Sequence, residues 1–407
     1  MTVSRRNLIK TLGATGSIAL AGCSSSNDGD DGGSDGGDGS DSSGDGGSTQ
    51  TSTKTTSGGD GSYHIGFAIM GLGGDPWMGA FRKGAEWYAE DQGLELTVTD
   101  GEFDSAKQIN DAKRLVRQDV DAILTSPVQS DAAVTMVEEA NAENIPVFTA
   151  NSTAATSEVP MFTAFGNQDA ANSAAGVMAN RLEERYGSPE GRVVEVLLPQ
   201  DTETFVQRHE GFVSGMEEYD DIEIIAQLEY DQTQEDAANK ISTQLQRDDD
   251  FDALYCPDLL SGLASMSAFE NEGVKEPIGN EGHITTVGLD AGPNTLNAIR
   301  NDYFDAAIDQ PNLFYAPITM KYIVDYLDAG QDSGVIPEVG QEITADDQTF
   351  ATGNQHDGID PWADPLWAPA QIEELEFDDG MQTYFKTSGV TVTKENADAP
   401  YLWGNLA

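Results

Sequence analysis

The chain is predicted to fold as an α/β protein of two lobes, each a doubly wound parallel sheet. Three observations predict it. From Tyr63 onward, short apolar runs alternate with amphipathic stretches, as expected of strands buried on both faces by covering helices. The alternation passes through two similar cycles, one before and one after residue 166. The span from 63 to 407 is long enough to bury two cores.

The elements follow in order. Ile65 to Met70 is a short buried strand. Pro76 to Asp91 is a helix, with Trp77, Phe81, Ala85 and Tyr88 at spacings of three or four. Leu94 to Val98 is a strand and Ser105 to Gln118 a helix with Ile109, Ala112, Leu115 and Val116 on one face. Ala122 to Leu124, Ser130 to Asn141 and Pro146 to Phe148 continue as strand, helix and strand. The second cycle opens with a helix over Gln168 to Arg185. Strands are expected at Arg192 to Leu198, Ile222 to Leu228, Ala253 to Tyr255, Thr286 to Leu289 and Ala306 to Ile308. Between them lie helices at Phe205 to Tyr219, Glu235 to Gln246, Leu259 to Asn271 and Leu296 to Arg300, and Leu313 to Leu327 closes the series. Ile343 to Phe350 reads as a last strand. Asp360 to Pro369, with two tryptophans and three prolines, reads as an irregular wrap, and a strand pair is expected around Val390 to Thr393.

The N-terminus carries an address. Ser4-Arg5-Arg6-Asn7-Leu8-Ile9-Lys10 resembles a twin-arginine export signal. Thr11 to Leu20 is apolar but too short for a span, which needs about 20 residues. Leu20-Ala21-Gly22-Cys23 resembles a lipoprotein processing box, so 1–23 is expected to be a signal peptide ending at a lipidated Cys23. A stable anchor then implies two acyl chains. Residues 24–62 are almost entirely Ser, Gly, Asp, Asn and Thr with no aromatic residue, the composition of a disordered tether. With Cys23 in the lipid box, Cys256 has no intrachain partner.

Seventy-one acidic residues face 21 basic ones, a formal charge of -50, and only eight of the acids lie in the tether. The excess excludes a nucleic-acid partner, whose phosphates it would repel. The four histidines, His64, His209, His283 and His356, show no metal-ligand spacing, and no Ser-His-Asp, zinc or phosphate-loop motif occurs. Neither a metal, nor a cofactor, nor catalysis is expected.

In doubly wound sheets, ligands bind beyond the carboxyl ends of the strands. Polar residues recur at those places: Asp75-Pro76-Trp77 after the first strand, Asn151 after the fourth, Arg208 on the helix after Leu197-Leu198-Pro199, then Asp258, Asp290 and Gln310. A single acid there would serve as a helix cap. Their repetition in both halves points to one polar site between two lobes.

These stretches resemble the periplasmic sugar-binding proteins of the ribose and galactose type, from about Tyr63 to Phe350. The likeness rests on Asp75-Pro76-Trp77-Met78, Asn144-Ile145-Pro146-Val147, Arg208 with Glu210-Gly211-Phe212, Val287-Gly288-Leu289-Asp290, and Ile308-Asp309-Gln310. The resemblance implies a three-strand hinge crossed near Gly166, Gln310 and Gln341. The N-lobe would then comprise 63–165 plus 311–341 and the C-lobe 166–310 plus 342–350, with 351–407 as a C-terminal extension. It implies that Asp75, Trp77, Asn151, Arg208, Tyr230, Asp258, Asp290 and Gln310 hold a monosaccharide, Trp77 by stacking and the others through hydroxyls. A monomer is expected, on the outer face of the cytoplasmic membrane, delivering solute to an ABC permease and its ATPase. Ala150-Asn151 and Asp75 depart from the family pattern of Asp-Arg and Asn, which alters the hydrogen bonds that read the ligand. Cys256-Pro257-Asp258 also resembles receptors for furanosyl signals, so the alternative is a sensory receptor presenting such a signal or a nucleoside. A sugar-responsive repressor of the same fold would need a basic N-terminal helix-turn-helix, where this chain has an export signal and an acidic tether.

The spread of acidity resembles that of secreted haloarchaeal proteins. At molar salt the screening length falls to about 3 Å, which removes the self-repulsion. Thermal melts should therefore show a higher midpoint in molar KCl than at low salt, and equal midpoints would contradict the salt-adapted reading.

Overall fold

The computed structural model describes residues 62–200, 202–248 and 250–406. The twin-arginine segment, Cys23 and the tether up to residue 61 lie outside the described residues. Elements follow one another as β1 (His64–Ile69), α1 (Pro76–Gln92), β2 (Glu95–Asp100), α2 (Ser105–Arg117), β3 (Ala122–Thr125), α3 (Ser130–Ala142), β4 (Val147–Ala150) and β5 (Met161–Phe165). Then come α4 (Asn167–Tyr186), β6 (Glu190–Leu197), α5 (Glu203–Met216), β7 (Asp221–Glu229), α6 (Gln234–Arg247), β8 (Ala253–Cys256), α7 (Leu259–Glu272), β9 (Thr285–Leu289), α8 (Pro293–Arg300), β10 (Ala306–Asp309) and α9 (Asn312–Asp328). The chain ends with β11 (Glu342–Ile343), β12 (Ala370–Phe377), β13 (Gly380–Thr387), β14 (Val390–Val392) and α10 (Trp403–Leu406).

Two sheets form, in the orders β11-β12-β13-β5-β4-β3-β1-β2 and β14-β10-β9-β8-β6-β7. Pairing is parallel except at β11–β12, β12–β13 and β10–β14. The expected α/β class with two parallel-dominated sheets is what the chain adopts. Local chemistry fixes the helix ends that matter for the site. Asp75 caps α1 by accepting from Trp77 N, and Pro76 stands where no amide hydrogen is needed. Asp258 caps α7 in a reciprocal pair with Ser261. Two glycines let helices touch: a Cβ at Gly84 would meet Leu313 O of α9 at 2.1 Å, and one at Gly211 would meet Gln168 O of α4 at 2.2 Å.

Before α9 the strict strand–helix alternation breaks at one place. β4 and β5 are parallel neighbours joined by residues 151–160 with no helix between them. β5 was not expected, because its apolar run follows a Ser- and Thr-rich stretch rather than an amphipathic one.

The C-terminal part corrects the sequence expectation more deeply. β11 has two residues rather than the run Ile343 to Phe350, and it lies in the first sheet, not with the C-lobe. β12 and β13 widen that sheet, and β13 pairs with β5 in parallel. The strand expected around Val390 is present as β14, but it joins β10 in the second sheet instead of pairing with its chain neighbour. The chain passes between sheets at Gly166, at Gln310–Pro311 and at Ser388–Gly389. The third passage thus lies at Ser388–Gly389 and not near Gln341. The residues 351–407 are not a separate appendage, since they complete both sheets. Asp360 to Pro369 has neither helix nor strand, and its Trp362 and Trp367 are buried.

At the end of the C-lobe remote from the strand carboxyl ends, His283 is buried, with Nε2 2.9 Å from Asp305 Oδ2 and Nδ1 2.8 Å from Glu276 O. Thr286 N donates to the same Asp305 oxygen at 2.7 Å. Burial alone would lower the imidazole pKa, but the hydrogen bond and charge of Asp305 outweigh it and hold the pKa above 6.5. A raised pKa adds stability that is complete below the unfolded value and fades as pH rises through the folded one. His283→Gln should therefore narrow its stability deficit against the native protein as pH climbs above about 6.5, measured by denaturant melts across pH 5 to 9. A deficit that is constant over that range would show that Asp305 does not raise the imidazole pKa on folding.

Candidate functional site

Four strand ends of the second sheet converge on one polar cluster. Asp290 follows β9 with a left-handed backbone, φ 69°, held by its amide donating to Ile308 O. Gln310 follows β10, and its Nε2 donates to Asp290 Oδ1 at 2.6 Å. Arg208, on the second turn of α5, places Nη1 3.4 Å from Asp290 Oδ2. The guanidinium is aimed by two further acceptors, Asn167 Oδ1 at 2.9 Å and Pro257 O at 2.7 Å. Arg208, Asp290 and Gln310 are only 6–7 % exposed. The cluster is therefore almost closed to solvent.

The cluster reaches the other lobe through aromatic residues. Tyr315 of α9 donates its hydroxyl to Gln310 Oε1 at 3.0 Å, and its ring lies 6.1 Å from that of Trp77. Trp77 is half-buried and also meets Phe81 edge-on at 5.7 Å. Asn312 Nδ2 holds the Trp77 carbonyl at 3.0 Å, which fixes the start of α1 against the start of α9. Tyr230 and Asp258 form a second pair, with the phenol donating to Asp258 Oδ2 at 2.6 Å.

The electrostatics are set by burial. Burial pushes the Asp290 carboxyl up, Arg208 and Gln310 pull it down, and the charge of Asp258 adds to the rise. Asp309, next along β10, is pushed up to about 7, first by burial and then by Asp290, against the pull of the Ala291 amide and Trp403. Tyr230 is raised by burial and by Asp258. Asp290 is thus paired with Arg208 and feels the charge of Asp258, while Asp309 feels that of Asp290, an acidic setting that disfavours anions.

The eight residues singled out from sequence divide three ways. Arg208, Asp290 and Gln310 form one hydrogen-bonded chain that extends to Trp77 through Tyr315. Tyr230 and Asp258 pair with each other beside it. Asp75 meets it only by accepting from the Trp77 backbone amide, and Asn151 makes no direct hydrogen bond or ring contact with it among the described residues. Asp75 is exposed and its Oδ1 is taken up in capping α1, while Asn151 has φ 66° and its amide donates to Thr163 O. Asn167 and Tyr315 escaped the sequence reading. Asn167 follows the unexpected β5, and Tyr315 sits in an apolar helix where its hydroxyl gave no signal. No group of His, Cys, Asp and Glu among the described residues is arranged to hold a metal ion.

Comparison with known proteins sets these residues in context. The chain is 25% identical over 265 residues to the ribose import binding protein of Bacillus subtilis, covering 65% of this chain and 82% of that one. It is 24% identical over 225 residues to the xylitol-binding protein of Mycolicibacterium smegmatis, covering 55% and 61%. A solute-binding protein of an ABC transporter from Bacillus halodurans, solved with bound myo-inositol, superposes with a TM-score of 0.60 at 19% identity, covering 85% of this chain and 99% of that one. The profile of the periplasmic binding protein domain matches residues 65–332, which take in both cycles of the fold and every site candidate. The chain belongs to the periplasmic binding protein family, whose members are extracytoplasmic solute-binding proteins.

Proposed function

We propose that this protein is the substrate-binding lipoprotein of an ABC import system and that it captures a monosaccharide between its lobes. The observation that carries the reading is the chain Arg208–Asp290–Gln310–Tyr315, which ends beside the Trp77 ring. A sugar offers hydroxyls that donate and accept, together with a weakly apolar ring face. Asp290 and Asp258 are suited to accept from hydroxyls, Arg208 and Gln310 to donate, and Trp77 to cover the ring face. The names of the relatives, which bind ribose, xylitol and inositol, favour a polyhydroxylated solute. Nothing in this arrangement calls for bond-breaking chemistry. Twin-arginine export, a lipid on Cys23 and delivery to a permease with its ATPase complete the reading.

A thermal-shift screen in molar salt with pentoses, hexoses, polyols, nucleosides and amino acids tests the ligand class. A solute at a hundredfold excess over Kd adds about 2.7 kcal/mol to stability. A shift with a sugar is expected; a shift with nucleosides alone would favour the signal-receptor alternative and reject the sugar. Asp290→Ala, which removes charge-assisted hydrogen bonds worth about 1.5–3 kcal/mol each, should weaken binding by at least roughly tenfold. Trp77→Ala should also weaken it, and full affinity in both variants would place the site elsewhere.

The anchor is tested separately by fractionation. Cys23→Ser should move the protein from the membrane to the medium, and continued membrane association would argue against lipidation at that residue.

A further inference from the structure

The C-terminal segment crosses between the lobes beside the candidate site. It is first secured to the C-lobe. Arg300 of α8 donates to Asp398 Oδ1 at 2.6 Å, to Ala397 O at 2.7 Å and to Asn405 Oδ1. Asn405 returns two hydrogen bonds, to Ala397 O and Ala399 O. The turn so formed delivers Trp403, 1 % exposed, onto the loop that follows Asp290. Its indole Nε1 donates to Asp309 Oδ1 at 2.6 Å, the same oxygen that accepts from Ala291 N at 2.8 Å. Gly404 presses so closely that a Cβ there would meet Ala291 O at 2.3 Å.

Three residues later the same segment reaches the N-lobe. α10 lies against α1 as well as α8, and Lys83 Nζ of α1 donates to Leu406 O at 2.9 Å. α1 is the helix that begins at Pro76-Trp77. One end of this short stretch therefore holds the backbone next to Asp290, and the other holds the helix that carries Trp77.

We infer that Trp403 and Lys83 are positioning residues, the two anchors of a strap that joins the Asp290 half of the site to the Trp77 half and resists parting of the lobes. The chain passes between the sheets at Gly166, Gln310–Pro311 and Ser388–Gly389, so any rotation of one lobe against the other would turn about these passages. The strap adds a tie that must break at Lys83 before the cleft can open. It raises the fraction of ligand-free protein whose two halves are already aligned, and apparent affinity scales with that fraction. The expected consequence for affinity rests on the solute-binding reading; the strap itself does not.

The test is amide hydrogen exchange on the full-length protein without any sugar. Lys83→Met removes the N-lobe anchor, and Trp403→Phe keeps a ring but removes the donor to Asp309. Each variant is expected to speed exchange about tenfold on the lobe it does not alter: at Asp290 and Ala291 for Lys83→Met, and at Trp77 to Gly79 for Trp403→Phe. A merely structural role would loosen only the substituted lobe, and that result would overturn the inference. If Trp403→Phe fails to fold, Lys83→Met decides alone, because that side chain is only half-buried on α1 and Met keeps its apolar stem. Since no ligand is used, a protein that binds no sugar but shows cross-lobe loosening would reject the proposed function and keep the strap.

Discussion

A carboxylate taken out of water must be compensated on every side, and in this protein that carboxylate is Asp290. Desolvation of a single ion costs several kcal/mol even after relaxation. Asp290 meets the requirement with Arg208, with Gln310 and with a backbone turn whose φ of 69° is held by the Ile308 carbonyl. Arg208 in turn needs acceptors, which Asn167 and Pro257 supply. Its approach to Asn167 depends on a bare Gly211 one turn along α5, against the neighbouring Gln168 carbonyl. The position of α4 against α5, and hence the layering of the C-lobe, is bound up with keeping one charge buried.

The parallel sheet explains why such a cluster sits where it does. All strand carboxyl ends of a doubly wound sheet face one way, so the residues just beyond them gather at one edge. β8, β9 and β10 are each followed within two residues by a polar residue of the cluster or its flank: Asp258, Asp290 and Gln310. The helices leaving those ends need caps, and Asp258 meets that need with one oxygen while the other receives the Tyr230 phenol. Asp75 has no such second engagement. The same residue type at an equivalent place is in one lobe a cap alone and in the other a cap that also holds the Tyr230 phenol.

The late part of the chain does more than decorate this frame. β13 and β14 are separated by Ser388 and Gly389 alone, yet they belong to different sheets, so this pair forms the third passage between lobes. Lys386, just before it, bridges Glu373 of its own sheet and Asp169 of α4. Asp91 at the end of α1 collects hydrogen bonds from Thr352, Asn354, His356 and Trp362, which pins the irregular stretch to the N-lobe. Trp403 and Lys83 then close the circuit beside Asp290. A single excursion of chain visits both lobes and connects them at points other than the hinge.

The α/β class, the two cycles and the placement of Asp258, Asp290 and Gln310 past strand ends are legible in the chain, because these depend on local periodicity and on the direction in which a strand feeds a helix. So is the need for the core to hold without a disulfide among the folded residues, since Cys256 stands without a second cysteine and is buried and free. The rest follows from long-range packing. β5 and β12 carry no clear period of their own; β12 presents adjacent glutamates at Glu373 and Glu374 and is a strand because β13 lies beside it. Whether Asp75 or Asn151 faces the cluster depends on how the two lobes meet, and nothing within a few residues of either one encodes that. Trp403 and Asp309 are 94 positions apart and meet across one hydrogen bond. Contacts of that range arise from packing of distant faces, and no local pattern in the chain can announce them.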